Sequence, residues 1–158
     1  MANREFIEKK TVSVSDRRGK TYNITLEAYF RNGRILCINV DDYILAMEFY
    51  KNPETGYYQN NPDSGWMFEL PEEWPRRMGI GSSIWREVEL LFNRCAVARV
   101  YGVIGEVIGY AQSVGWEDPQ YEEHIKSLEQ FWSKMGFTIS SNHWIQKDYP
   151  VNKNELTL

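Results

Sequence analysis

Apolar and polar residues alternate through the first third of this chain, then recur at helical spacing in two later stretches. Thr11-Val12-Ser13-Val14-Ser15 alternates, Asp16-Arg17-Arg18-Gly19-Lys20 supplies a turn, and the run from Tyr22 to Phe30 alternates again. That is the pattern of half-buried strands. Asn32-Gly33 predicts a tight hairpin turn into a third strand, Arg34-Ile35-Leu36-Cys37-Ile38, because both residues tolerate positive φ. The run from Tyr43 to Tyr50 fits a strand or a short helix, and strand is the better fit. Residues 51–64 contain Asn52-Pro53, Gly56 and Asn61-Pro62 and predict a loop. It reads equally as a substrate-contacting insertion or a solvated connector. Gly65-Trp66-Met67-Phe68-Glu69-Leu70 reads as a further strand.

The second half alternates helix and strand. Ile80, Ile84, Val88, Leu91 and Cys95 fall on one helical face over residues 79–94. The nearly continuous apolar run from Val97 to Ile104 predicts a central strand, whereas residues 105–115 fit no single pattern. Asp118-Pro119 then sets an N-cap and a first helical residue, with Glu122 and Glu123 in the first turn. Tyr121, Ile125, Leu128, Trp132 and Met135 line one face, and Gly136 ends the helix at the C′ position. The runs 137–140 and 144–147, joined by Ser141-Asn142-His143, predict a closing hairpin.

Composition narrows the picture. A chain of 158 residues with 42% hydrophobic content and six tryptophans is one packed domain. Within it, residues 1–64 form a β-rich part plus loop, 65–148 a core and 149–158 a polar tail. The net charge of −4 argues against a broad nucleic-acid footprint. Two isolated cysteines, Cys37 and Cys95, give neither a disulfide framework nor a metal pattern. There is no membrane-spanning run and no signal-peptide apolar region at the N-terminus, so the expected compartment is the cytoplasm.

The most informative stretch is Arg76-Arg77-Met78-Gly79-Ile80-Gly81-Ser82-Ser83, which joins the run ending at Leu70 to the first helix. Glycines permit a sharp backbone turn, and a helix start presents unpaired N–H groups. Together they form a concave set of donors suited to a phosphate. A tight turn with no ligand is the plainer alternative, as is a solvated charge pair for Arg76 and Arg77.

Strand, R-x-x-G-x-G, helix, buried strand, a second helix ending Phe131-Trp132-Ser133-Lys134-Met135-Gly136-Phe137, then a hairpin: this order resembles the GNAT N-acetyltransferase superfamily. Arg76, Gly79 and Gly81 match its pyrophosphate motif, and the late aromatic pair with Gly-Phe matches its second signature. The resemblance covers residues 65–147. It implies an α+β fold with a mixed, mostly antiparallel twisted sheet, a V-shaped cleft between two central strands, and flanking helices. The family's N-terminal helical pair has no counterpart before residue 60, so the loop 51–64 or a second subunit of a homodimer would build the acceptor side.

The resemblance implies acetyl-CoA as co-substrate and an amine, a protein lysine or a small amine, as acceptor, with no metal and no membrane. Main-chain N–H groups of Arg77, Met78, Gly79, Ile80, Gly81 and Ser82, with Arg76 and Ser83 beside them, would hold the pyrophosphate. Main-chain groups of Met67, Phe68 and Leu70 would pair with the pantetheine arm, and Phe131 and Trp132 would flank the cofactor. Trp132 stands where the family often has an acid tyrosine, which leaves water, Tyr101, Tyr121 or Tyr149 to deliver a proton. The departing thiolate, with a pKa of about 8.5, makes a modest demand on such an acid. Glu72, Glu73 and Glu69 are the candidate bases, each with a solvated carboxylate as the bland alternative. His124 and His143 fit proton carriers or ordinary structural histidines. Trp66, Trp85, Trp116 and Trp144 fit core or cleft wall. A GNAT-like acyl-CoA-binding module without turnover is the main alternative, and an unrelated α+β domain with a purely structural glycine turn is the third.

Overall fold

The computed structural model describes residues 4–41, 43–63, 65–75, 78–104 and 119–151. Its strands are β1 (Arg4–Ser15), β2 (Thr21–Arg31), β3 (Ile35–Val40), β4 (Leu45–Lys51), β5 (Tyr58–Gln59), β6 (Val97–Val103), β7 (Thr138–Ile139) and β8 (Trp144–Asp148). The helices are α1 (Ile80–Arg94) and α2 (Pro119–Lys134). They build an α+β fold around one open eight-stranded sheet, in the order β1-β2-β3-β4-β5-β6-β8-β7. Every neighbouring pair is antiparallel except β5 and β6, which run parallel. Among the described residues no helix precedes Ile80, and none is long and apolar enough to cross a membrane.

Local chemistry explains the meander. Asn32 and Gly33 take φ of 55° and 69°, and Arg34 N–H donates to the Arg31 carbonyl, which closes the two-residue turn that matches strand twist. Alternate residues of β2, β3 and β4 are buried: Ile24, Leu26 and Ala28, then Leu36, Ile38 and Val40, then Leu45, Met47 and Phe49. The two helices cover this face. Ile84, Trp85, Val88 and Leu91 of α1 and Ile125, Leu128 and Trp132 of α2 complete a single core. The opposite face carries Asn23, Thr25, Glu27, Ala46, Glu48 and Tyr50, and no described helix packs on it. On edge strand β1, a register shift between Phe6 and Glu8 sends Phe6 to the open face against Tyr29 and Glu8 to the helix face. There Glu8 receives two bonds from Arg94 of α1, at 2.8 and 3.1 Å.

Two expectations need correction. Residues 65–70 form no ladder strand; they make a single antiparallel bridge, Phe68 to Leu45, with Glu69 N–H donating to Ile44 carbonyl at 2.9 Å. The parallel neighbour of β6 is instead β5, inside the stretch expected to be loop. The reason lies in side chains. Trp66 and Phe68 are drawn into the aromatic core, and the Trp66 indole takes the Tyr101 carbonyl, at 2.5 Å, that a strand neighbour would have used.

Candidate functional site

The start of α1 is built from three segments. Gly79 is its N-cap, with φ of 84° and no side-chain cap, and the first turn holds no acidic residue. A left-handed N-cap favours glycine, since a Cβ there is strained. Ser83 N–H and its hydroxyl both go to the Gly79 carbonyl, at 3.1 and 3.0 Å. The earlier first-turn N–H groups have no acceptor within the helix, and the dipole adds partial positive charge there.

The tip of the β1–β2 hairpin closes over this helix start. Arg17 N–H donates to Met78 carbonyl at 2.8 Å, and a methyl group placed on Gly79 would lie 3.6 Å from Cγ and 3.8 Å from Nε of Arg17. Asp16 holds that tip in shape. Its carboxylate accepts from Arg18 N–H at 2.8 Å, Lys20 N–H at 3.0 Å and the Tyr22 hydroxyl at 3.1 Å. Burial alone would raise the Asp16 pKa, but these three bonds outweigh it and hold the group below its ordinary value. Tyr22 also packs on Trp74, with ring centroids 4.8 Å apart, so the connection over residues 71–75 is pinned to the same hairpin.

Phe131, half-buried on α2, completes the wall: two of its ring carbons lie 3.8 Å from the position a Cβ would take on Gly81. Its neighbour Trp132 is different. It is 0% exposed and sits at the centre of an aromatic cluster, 4.9 Å from Trp85, 5.5 Å from Trp66 and 5.1 Å from Phe137. Trp132 therefore has no surface to offer a ligand, a correction to its expected place against the cofactor. Trp85 shares the cluster, and among the described residues the buried indole N–H groups of Trp85 and Trp132 have no hydrogen-bond acceptor.

Where β5 leaves β6, side chains replace the strand. Asn60, only 4% exposed, donates from Nδ2 to Tyr101 carbonyl at 2.8 Å and accepts from Tyr101 N–H at 2.7 Å. Trp66 shares that carbonyl. Asn60 and Trp66 thus together occupy the place beside Tyr101 of β6 that a neighbouring strand would take.

The remaining expected residues separate into groups. Met78, Gly79, Ile80, Gly81, Ser82 and Ser83 do lie together at the helix start, whereas Arg76 and Arg77 fall outside the described residues. Met67 and Glu69 point away from the core and are exposed, Phe68 is buried and Leu70 half-buried. Glu72 and Glu73 occupy the middle of a turn closed by Trp74 N–H on Pro71 carbonyl, at 3.0 Å, and face solvent. The Tyr101 side chain lies on the open sheet face, its hydroxyl receiving a bond from Arg99 at 3.2 Å, so it is on the other side of the sheet from α1. The Tyr121 and His124 side chains and Trp116 fall outside the described residues. Tyr149 donates to Glu89 at 2.6 Å. Burial, then Glu89, pushes its pKa far up. Glu89 is eight residues beyond Gly81, or about 12 Å along the helix at 1.5 Å per residue, so Tyr149 is no proton source for this site. His143 bonds Glu129 at 2.7 Å at the far hairpin.

Arg17 is the functional candidate that sequence reasoning missed. The signal was a cationic turn, Arg17-Arg18-Gly19-Lys20, but only the fold brings it to Gly79 from more than sixty residues away. Among the described residues there is no cluster of side chains fit to hold a metal. Comparisons with protein-family models, with curated proteins and with solved structures find no match for this chain.

Proposed function

We propose that the protein is an acetyl-CoA-dependent N-acetyltransferase with a GNAT-like arrangement, its V-shaped opening lying between residues 66–70 and β6. The observation that carries this reading is the uncapped first turn of α1, begun by left-handed Gly79 and overlaid by Arg17. Helix dipole, free N–H groups and a guanidinium all favour a diphosphate there. The connection from parallel β5 through α1 to β6 supports this reading, since it sets the helix between two neighbouring parallel strands.

On this reading the amine nitrogen attacks the thioester carbonyl directly. The new C–N bond gives a tetrahedral intermediate, and the C–S bond then breaks. An alkylamine with a pKa of about 10.4 is neutral in only about one molecule per thousand at neutral pH, a demand of about 4 kcal/mol that a base can meet. Glu72 is the preferred base and Glu73 its neighbour, because both are exposed on the turn next to Trp74, which packs on Tyr22 of the hairpin. The thiolate leaves without a dedicated acid and takes its proton from water.

A second reading, a GNAT-like module that binds acyl-CoA without turnover, is favoured by one observation. Trp132 is sealed in the core where the resemblance seats an acid tyrosine, with Trp66 packed edge-to-face against it. Mass spectrometry of a pool of small amines and lysine peptides, incubated with protein and labelled acetyl-CoA, separates the two. Acetylated product supports the transferase; tight cofactor binding with no product supports the binding module.

A further inference from the structure

A hollow of about 290 Å3 opens on the sheet face opposite the helices. Buried Tyr29 forms part of its floor, Trp66 is part of its lining, and the more exposed Arg31, Glu48 and Tyr50 stand at its rim. Arg31 Nη2 lies 2.7 Å from Glu48 Oε1, and the Tyr50 hydroxyl donates to Glu48 Oε2 at 3.1 Å. Each carboxylate oxygen thus holds one donor and keeps a lone pair for another, and the guanidinium fork has N–H groups beyond the one on Glu48. The Tyr29 hydroxyl accepts from Asn39 at 3.3 Å, which sets a polar edge on the floor.

We propose that this hollow binds a free α-amino acid, its carboxylate on Arg31 and its ammonium on Glu48. The paired side chains sum to zero charge. A simple alkylammonium placed there faces the Arg31 cation, and a simple carboxylate faces the Glu48 anion. A ligand bearing both charges close together, as an α-amino acid does, completes both partners without leaving a net charge in the concavity. The volume suits a small side chain, at the lower end of the usual range for ligand sites of about 300–1,000 Å3.

Trp66 links this hollow to the other face of the sheet. It lines the hollow, and its ring stacks on Trp85 of α1, centroids 5.6 Å apart and planes 10° from parallel. Trp66 is therefore the side chain that this hollow shares with the proposed acyl-carrier side of the sheet. The bound amino acid's role as acetyl acceptor rests on the transferase reading; the binding claim does not. In the transfer, the ammonium first gives one proton to the base; the neutral α-nitrogen then forms the amide bond as the thioester C–S bond breaks, and the second nitrogen proton passes through water to the departing thiolate.

The test is titration of the whole protein, without acetyl-CoA, with each standard free L-amino acid, followed by amide NMR shifts. The tightest binder is then compared with its decarboxylated amine and its deaminated acid. The expected result is an amino acid bound at least about tenfold tighter than either fragment. Glu48→Gln and Arg31→Gln should each weaken it by about tenfold, and Lys51→Gln, on the same strand outside the hollow, should not. Exposed ion pairs add little to stability, so these variants keep the fold. No saturation below about 10 mM, equal affinity for the bare amine, or indifference to Glu48→Gln overturns the proposal. Adding acetyl-CoA gives the second arm: the N-acetyl amino acid supports the acceptor role. Binding without product overturns that role and counts against the transferase reading, while the site itself stands.

Discussion

Asn60 pairs with the main chain of Tyr101 through both ends of its carboxamide, accepting from the N–H at 2.7 Å and donating to the carbonyl at 2.8 Å. One side chain thus copies the two bonds that a neighbouring strand would make. That substitution is what allows the chain to leave β6 after Gln59 and still satisfy buried backbone groups. Asn60→Ala should destabilise the protein by about 1–3 kcal/mol, the cost of leaving buried partners unmet. Urea unfolding measures it. A change of less than about 0.5 kcal/mol would show that water serves Tyr101 just as well.

Arg17 should matter to ligand and not to fold. Arg17→Ala is expected to weaken acetyl-CoA binding about tenfold, through loss of a charge-assisted contact, while the urea midpoint stays put. Asp16→Ala should lower both, because Asp16 ties together the turn that carries Arg17. The sign of the pH effect follows from its depressed pKa. The stability it contributes is fully present above the ordinary carboxylate value and is lost as pH falls through the lower folded value. An acid limb identical in wild type and Asp16→Ala would remove Asp16 from this role.

Glu72→Gln should slow acetylation more at neutral pH than above pH 10 or so, where an alkylamine deprotonates unaided. The ratio of wild-type to variant kcat/KM, followed across pH, is the readout. A ratio that does not change with pH excludes Glu72 as base and moves attention to Glu73.

Cys95 gives an alkaline limb. Burial, then the Glu8 carboxylate, pushes its thiol from 9.0 up to about 11, with Arg94 pulling the other way. The folded state therefore holds this proton longer than the unfolded chain. Its contribution is complete below pH 9 and is lost as pH rises toward 11, a difference of about 2–3 kcal/mol. Stability measured between pH 8 and 11 should fall in wild type and fall less in Cys95→Ala. Equal slopes would contradict this assignment.

Much of the fold was legible because its elements are locally specified. Asn32-Gly33 can hardly form anything but a tight turn, α1 shows an unbroken apolar stripe, and Gly136 terminates α2 with φ of 94°. The failures came where long-range packing overrode a local pattern. Residues 65–70 alternate like a strand, yet Trp66 and Phe68 are claimed by an aromatic core that includes Trp85 and Trp132. Tyr58 and Gln59 lie among turn formers, and they join the sheet only because Tyr58 N–H meets the Ala96 carbonyl, at 2.9 Å, some forty residues on. For the site, sequence order brought together Met78 to Ser83, which are contiguous. It had no means of adding Arg17, whose approach depends on the β1–β2 hairpin and Asp16, or of showing that Trp132 is sealed inside.

The central claim is that the first turn of α1 seats the diphosphate of acetyl-CoA, and calorimetric titration of wild type, Gly81→Ala and Gly81→Trp with acetyl-CoA tests it most directly. Among the described residues, a Cβ on Gly81 meets only Phe131, at 3.8 Å, an ordinary contact. Alanine should therefore bind like wild type, while the tryptophan ring covers the N–H groups. The expected result is one saturable site, kept in Gly81→Ala and weakened at least about tenfold in Gly81→Trp at an unchanged urea midpoint. No binding heat with wild type, or equal affinity in Gly81→Trp, would contradict the account.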